Sequence, residues 1–328
     1  MKRIAMLVPY FGTFPNYFPL WLLSCGCNPD VDFLVFTDDR RTFDWPKNVR
    51  VTYLGWKQMQ EKVKSCFDFP VKISRPYKLC DFRPAYGEIF KKELVGYDFW
   101  GHCDLDVVWG ALREFVSEDL LNRYDKLFYR GHFSLYRNTE KINGLYRCPV
   151  EGRPLYREVF QDSAPRVFDE WTGIDRIFDE QNIPVYDGQV VADIYADNYH
   201  FTVNGDIWDK QRPQVFLWRK KDGRCRIFRY YRDQDNFVRQ EFMYIHLQKR
   251  EMTLPSGNGK KPAAAFLIVP GRFIPCEGLA RLLEDPETED ETAAAMIKKF
   301  YRRRPVNWGL LRRKCAGKVR KLKCYFTR

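Results

Sequence analysis

The sequence predicts an α/β fold: a mixed, mainly parallel sheet flanked by helices, followed by a basic helical C-terminal extension. Three observations point there. Short apolar runs stop abruptly in Pro, Gly or Asp, as strands buried on both faces do. Stretches with helical periodicity separate them, which is the alternation of a doubly wound sheet. The basic residues crowd at one end: thirteen Lys and Arg, with no Asp or Glu, fall within residues 298–328.

In chain order, residues 3–8 are the first strand, closed by Pro9-Tyr10-Phe11-Gly12. Residues 18–24 read as a helix on Leu20, Trp21 and Leu23. Residues 32–39 and 49–54 are the next strands, the former stopping in acids. Residues 57–66 are predicted helical, 70–76 extended, and 77–94 a long helix broken or begun near Pro84. After Gly110 come a helix at 112–123, a strand at 126–129, and helices at 155–160 and 171–181. Residues 215–218 and 225–231 read as strands joined across Asp222-Gly223, a strong hairpin signal. Residues 241–246 are a core strand and 266–269 a further one. The Gly- and Pro-rich stretch 255–262 reads as a linker or loop, so the expected division is a domain over 1–255 and an extension over 256–328.

At 328 residues the chain can bury one large core or two smaller ones. It holds no apolar run of about eighteen residues, so no spanning helix is expected. The first eight residues look like a secretory leader only superficially, because Pro9-Tyr10-Phe11-Gly12 stands where a small-residue cleavage site belongs. The ten Cys form no Cys-x-x-Cys pair, and the expectation is reduced thiols in a cytoplasm. The net charge of +12 leaves about −1 outside residues 298–328, so no nucleic-acid partner is expected for the body. In the tail, Ile297, Phe300, Tyr301, Trp308, Leu310 and Leu311 interleave with the cations. That pattern suits a helix lying on an anionic membrane surface, here the inner face, with a solvated basic end as the plainer reading.

The chemistry centres on Tyr97-Asp98-Phe99-Trp100-Gly101-His102-Cys103-Asp104-Leu105-Asp106-Val107-Val108-Trp109-Gly110. In an extended backbone residues i and i+2 face one side, so Asp104 and Asp106 can converge while Leu105 turns inward. Two converging carboxylates repel unless a cation joins them, and Mg²⁺ or Mn²⁺ with a substrate diphosphate is the hard-oxygen partner such a pair suits. A solvated turn that happens to carry two Asp is the plain alternative.

The order and spacing of Ile4-Ala5-Met6-Leu7-Val8-Pro9-Tyr10-Phe11, Phe33-Leu34-Val35-Phe36-Thr37-Asp38 and Cys103-Asp104-Leu105-Asp106 resemble a nucleotide-sugar glycosyltransferase of the GT-A fold. Tyr77-Lys78-Leu79-Cys80-Asp81-Phe82-Arg83-Pro84-Ala85-Tyr86 is similar to the helix that precedes Asp-x-Asp in several such families. The likeness extends, over roughly residues 1–250, to an uncharacterised bacterial glycosyltransferase-like family found among polysaccharide-synthesis proteins.

The resemblance implies a metal-dependent transfer of a sugar from a nucleoside diphosphate, UDP being the commonest donor, to a glycan or lipid-linked acceptor. It implies that Pro9, Tyr10 and Phe11 border the nucleoside and that Thr37 and Asp38 approach base or ribose. Lys78 and Lys249 would approach the diphosphate, and Asp81 the sugar or ribose. Asp104 and Asp106 would hold Mn²⁺ or Mg²⁺, with His246 as a third ligand that tilts the choice toward Mn²⁺. Asp175, and after it Glu170, would be the catalytic carboxylate, and His132 and Trp171 would meet the acceptor. Each residue has a plain alternative: core aromatics at Tyr10 and Phe11, a solvated charge at Lys78, a turn cap at Asp38, a satisfied core imidazole at His246, and dipole-complementing acids at Glu170 and Asp175. A non-catalytic nucleotide- or sugar-binding protein that keeps the fold is the competing function, separated by whether transfer stops on Asp106→Ala.

Overall fold

The computed structural model describes residues 1–188, 190–194, 201–203, 214–233, 236–248, 252–254, 264–269, 271–276 and 286–301. By its contacts the chain divides into two units, Met1–Val190 with Asp222–Cys225, and Val191–Lys221 with Arg226–Arg328.

In the first unit, β1 (Ile4–Tyr10), β2 (Val31–Thr37), β3 (Val49–Tyr53) and β4 (Phe99–Cys103) run parallel. A bend leads from β4 into β5 (Val107–Trp109). With β6 (Lys126–Leu127), β7 (Phe133–Arg137) and β8 (Val185–Tyr186), the four strands β1 to β4 make a seven-stranded sheet ordered β3-β2-β1-β4-β7-β6-β8, of which β5 is not a member. Strand β7 is antiparallel to both neighbours, so the sheet is mixed but mainly parallel. Ile4 to Val8 are buried without a break, as a strand covered on both faces requires. At Gly101, opposite Leu135, a Cβ would lie 2.4 Å from the Ser134 carbonyl oxygen and 2.6 Å from Leu135 Cδ2. Only glycine lets β4 and β7 approach there. The main core, with Phe82, Tyr86, Trp100, Tyr136 and Phe160, packs beneath helices Trp56–Lys64, Leu155–Gln161 and Ile174–Glu180.

Several helices differ from expectation for local reasons. The long helix expected at 77–94 is a 3-10 helix, Pro76–Ala85, then one α-turn, Tyr86–Ile89. Pro84 has no N–H to continue an α-ladder. The helix at 112–123 is two, Leu112–Phe115 and Glu118–Arg123; Ser117 caps the second by accepting from Leu120 N at 3.3 Å. The helix expected from 171 starts at Ile174, so Trp171 stands on a loop.

In the second unit, β9 (Val191–Ile194) pairs antiparallel with β10 (Phe201–Val203). Strands β11 (Gln214–Lys221), β12 (Arg224–Asp233) and β13 (Asn236–Phe242) precede β14 (Tyr244–His246), which runs parallel to β9. With β15 (Ala265–Val269) and β16 (Arg272–Pro275) they form a five-stranded sheet ordered β13-β12-β11-β15-β16. Asp222 (φ 51°) and Gly223 (φ 77°) are both left-handed between β11 and β12, as the Asp-Gly signal requires. The single strand expected at 241–246 is split between β13 and β14, which join different sheets.

The domain boundary expected at 255 is also corrected. Strand β15 pairs with β11, Phe216 opposite Ile268, so residues on both sides of position 255 share one sheet. Helix Pro286–Tyr301 seats Ala293, Met296 and Ile297 against Val215, Leu217 and Leu267, again within this unit. The basic stretch beyond residue 301 lies outside the described residues. No helix among the described residues is long and apolar enough to cross a membrane.

Candidate functional site

From β1 the chain passes to β2 and β3 on one side, then crosses to β4 on the other. The strand order therefore reverses between β1 and β4, and a crevice opens beyond the carboxyl ends of strands at such a point. Tyr10 ends β1, and Asp104 is the first residue beyond β4. Asp104 N donates to the His132 carbonyl at 3.1 Å, which fixes where the chain leaves the sheet. Carboxylate oxygens of Asp104 and Asp106 lie within 4.8 Å of each other. They meet because residues 104–106 bend, not because an extended strand alternates its faces. Leu105 is buried between them, as expected.

Arg83 and Asp169 join this pair, and neither was singled out in the sequence. Arg83, from the 3-10 helix, donates from one terminal nitrogen to Asp104 and from the other to Asp169 at 2.8 Å and to the Gly131 carbonyl at 2.6 Å. Glu170 packs over Gly131, where a Cβ would lie 2.1 Å from Glu170 Oε1. Burial pushes the Asp169 carboxyl up to about 7 against the pull of Arg83, with Glu170 adding to the rise. The folded protein therefore binds this proton more tightly than the unfolded chain, whose carboxyl titrates near 3.8. The stabilisation it brings is complete below pH of about 4 and is lost as pH rises through about 7. Replacing Asp169 by Asn keeps the shape without the titration, and is expected to flatten that part of a melting-temperature profile across pH 4–8.

The end of β1 adds aromatic and acidic groups. Tyr10 is half-buried, stacks on Phe14 at 5.2 Å and donates to the Thr13 carbonyl at 3.2 Å. Tyr17, also missed in the sequence, is buried. Burial first, and the Asp106 charge next, raise both phenols. Asp38 accepts from Gly12 N at 2.7 Å, and Asp39 from Phe14 N at 2.9 Å, so β2's acidic end ties down the loop after β1. Arg41 and that backbone bond hold the Asp39 carboxyl well below the usual carboxylate range. Pro9 is half-buried beside them.

Other expected site residues fall elsewhere. Phe11 faces the core against Trp56 at 5.2 Å, and Thr37 is fully buried, accepting from Asp39 N; neither is open to a nucleoside. Lys78 and Asp81 are fully buried and paired at 2.7 Å, so Lys78 does not reach toward a diphosphate nor Asp81 toward a sugar. Asp175 is 3% exposed and accepts from Lys126 Nζ at 2.7 Å, and burial raises its carboxyl, so it sits as a buried partner of Lys126 and not as an open carboxylate. Trp171 is 77% exposed on the loop after Glu170, and His132 is half-buried beside Asp104 in the chain trace. His246 belongs to the second unit, where Asp193 Oδ1 lies 2.6 Å from its Nδ1. Lys249 lies outside the described residues.

The residues present fit a hard divalent cation. Asp104 and Asp106 offer oxygen donors only, the set Mg²⁺ and Mn²⁺ prefer. After burial, the Asp106 charge is the next largest cause of the upward push on the Tyr10 and Tyr17 phenols, a negative charge that a bound cation would offset.

Among solved structures, the chain is similar to mouse xyloside xylosyltransferase 1 in its apo form, at 10% identity and a TM-score of 0.32, over 60% of this chain and 88% of that one. No curated protein matches it. A family model described as a family of unknown function, DUF6625, matches residues 6–277. With that match spanning most of its length, the chain belongs to the DUF6625 family.

Proposed function

We propose that this chain is a metal-dependent glycosyltransferase. It moves a sugar from a nucleoside diphosphate, with UDP the first choice, to a glycan or lipid-linked acceptor of bacterial surface polysaccharide synthesis. The observation that supports this most is the convergence of Asp104 and Asp106 at the carboxyl edge of the parallel strands, where strand order reverses. Mn²⁺ or Mg²⁺ held by this pair would offset the charge on the departing diphosphate.

The chain's own groups do the rest. Arg83, rather than Lys78, supplies the fixed cation beside Asp104. Tyr10, Asp38 and Pro9 border the nucleoside from the end of β1 and the turn after β2. Glu170, half-buried over Gly131, takes the proton of the acceptor hydroxyl. The exposed face of Trp171 stacks on an acceptor sugar, and His132, whose carbonyl accepts from Asp104 N, meets the acceptor with it.

Thermal-shift measurement with nucleoside diphosphates, with and without Mn²⁺, tests the reading. UDP with Mn²⁺ is expected to raise the melting temperature by roughly 5 °C near a hundredfold excess over Kd, and more than either alone. A melting temperature indifferent to every diphosphate in the presence of Mn²⁺ would overturn it.

A further inference from the structure

The sequence offered Lys78 and Asp81 as donor-binding residues, and the structure buries both completely. A buried ion pair costs desolvation that mutual attraction alone repays poorly, so its other partners matter. Lys78 Nζ has three N–H bonds and uses all of them: on Asp81 at 2.7 Å, on the Val159 carbonyl at 2.9 Å and on the Ala164 carbonyl at 2.8 Å. Asp81 accepts from Arg166 N at 2.9 and 3.1 Å and from Phe168 N at 3.1 Å. Every protein partner beyond the pair itself is therefore backbone of one segment, residues 159–168.

That segment needs holding. Val167, β-branched and 44% exposed, lies at φ 57°, in the left-handed region that such side chains avoid. It sits between the two amides that Asp81 grips. The next residue after Phe168 is Asp169, which meets Arg83 two positions along the chain from Asp81. The turn then closes on itself: Ile174 N donates to the Phe168 carbonyl at 2.8 Å, and a Cβ at Gly173 would lie 2.1 Å from that oxygen.

We propose that Lys78 and Asp81 are positioning residues: the buried pair clasps the backbone of residues 159–168 in a strained course and so delivers Asp169 to Arg83, beside Asp104. The clasp stands on its own; its effect on metal binding rests on the reading of Asp104 and Asp106 as metal ligands.

Amide hydrogen exchange on the full chain separates the two. Asp81→Asn is expected to speed exchange across residues 165–170 by about tenfold or more, while β1 and β4 keep their protection. Mn²⁺ affinity, read by electron paramagnetic resonance on the folded variant, is expected to fall about tenfold, the smaller end of what supporting partners of metal ligands usually cost. Val167→Asn, which tolerates the left-handed region, is expected to restore part of the lost protection in the Asp81→Asn background. Should Asp81→Asn fail to fold, Lys78→Met/Asp81→Asn removes the unpaired cation and carries the same measurements. Unchanged exchange at 165–170, or a rise spread evenly over the whole sheet, overturns the clasp. A wild-type protein that binds no Mn²⁺ overturns the metal reading and leaves the exchange result to decide the clasp.

Discussion

Asp106→Ala is expected to abolish Mn²⁺ binding and to cut sugar transfer by roughly a thousandfold or more, because half of the donor pair and its charge are lost. The fold should survive. Asp106 is 6% exposed and close to Asp104, so removing it relieves repulsion between two acids. The melting temperature is therefore expected to hold or rise. A second readout needs no ligand. The Asp106 charge helps raise the Tyr10 and Tyr17 phenols, after burial, so a spectroscopic tyrosine titration should move downward in the variant. Retained Mn²⁺ binding with an unmoved titration would place Asp106 outside the site.

Replacing Arg83 by Met should have the largest effect on stability. Its guanidinium serves Asp104, Asp169 and the Gly131 carbonyl together, and the Asp169 side chain is only 4% exposed. Stripping the cation from buried acids typically costs about 3–5 kcal/mol, or on the order of 10 °C for a unit of this size. The deficit should shrink in acid. Asp169 already titrates near 7 with Arg83 present, and without it the carboxyl rises further. Below that range the acid is neutral and no longer misses its partner. Melting curves at pH 5 and pH 8 check the sign: a deficit larger at pH 5 contradicts it. Arg83→Lys is not expected to rescue, since an ammonium cannot span three acceptors as a planar fork does.

Much of the frame was readable in the sequence. The apolar runs of β1 and β2 and the Asp-Gly turn declare themselves through local chemistry, and the structure has them where the pattern puts them. Asp104 and Asp106 were visible as a pair, although a bend and not a strand brings them together. What stayed hidden depends on distant chain. Lys78 and Asp81, three residues apart, look like an exposed helical ion pair; nothing local shows that carbonyls and amides some eighty residues on would enclose them. The Arg83–Asp169 contact likewise joins residues 86 apart. Asp175 was chosen for its place at a helix start, but Lys126 in β6 takes it. The stretch near 255 has the composition of a linker, yet β11 and β15 pair across it, and pairing between remote strands leaves no compositional trace.

The Asp193–His246 contact fixes more than a distance. A carboxylate at Nδ1 calls for a proton on that nitrogen. In the neutral ring the proton is then absent from Nε2, which is left as the ring's acceptor nitrogen. The tautomer is thus chosen by the neighbouring strand, through Asp193 in β9 opposite His246 in β14. His246 can accept a hydrogen bond or coordinate through Nε2, but it cannot donate from there without first becoming imidazolium.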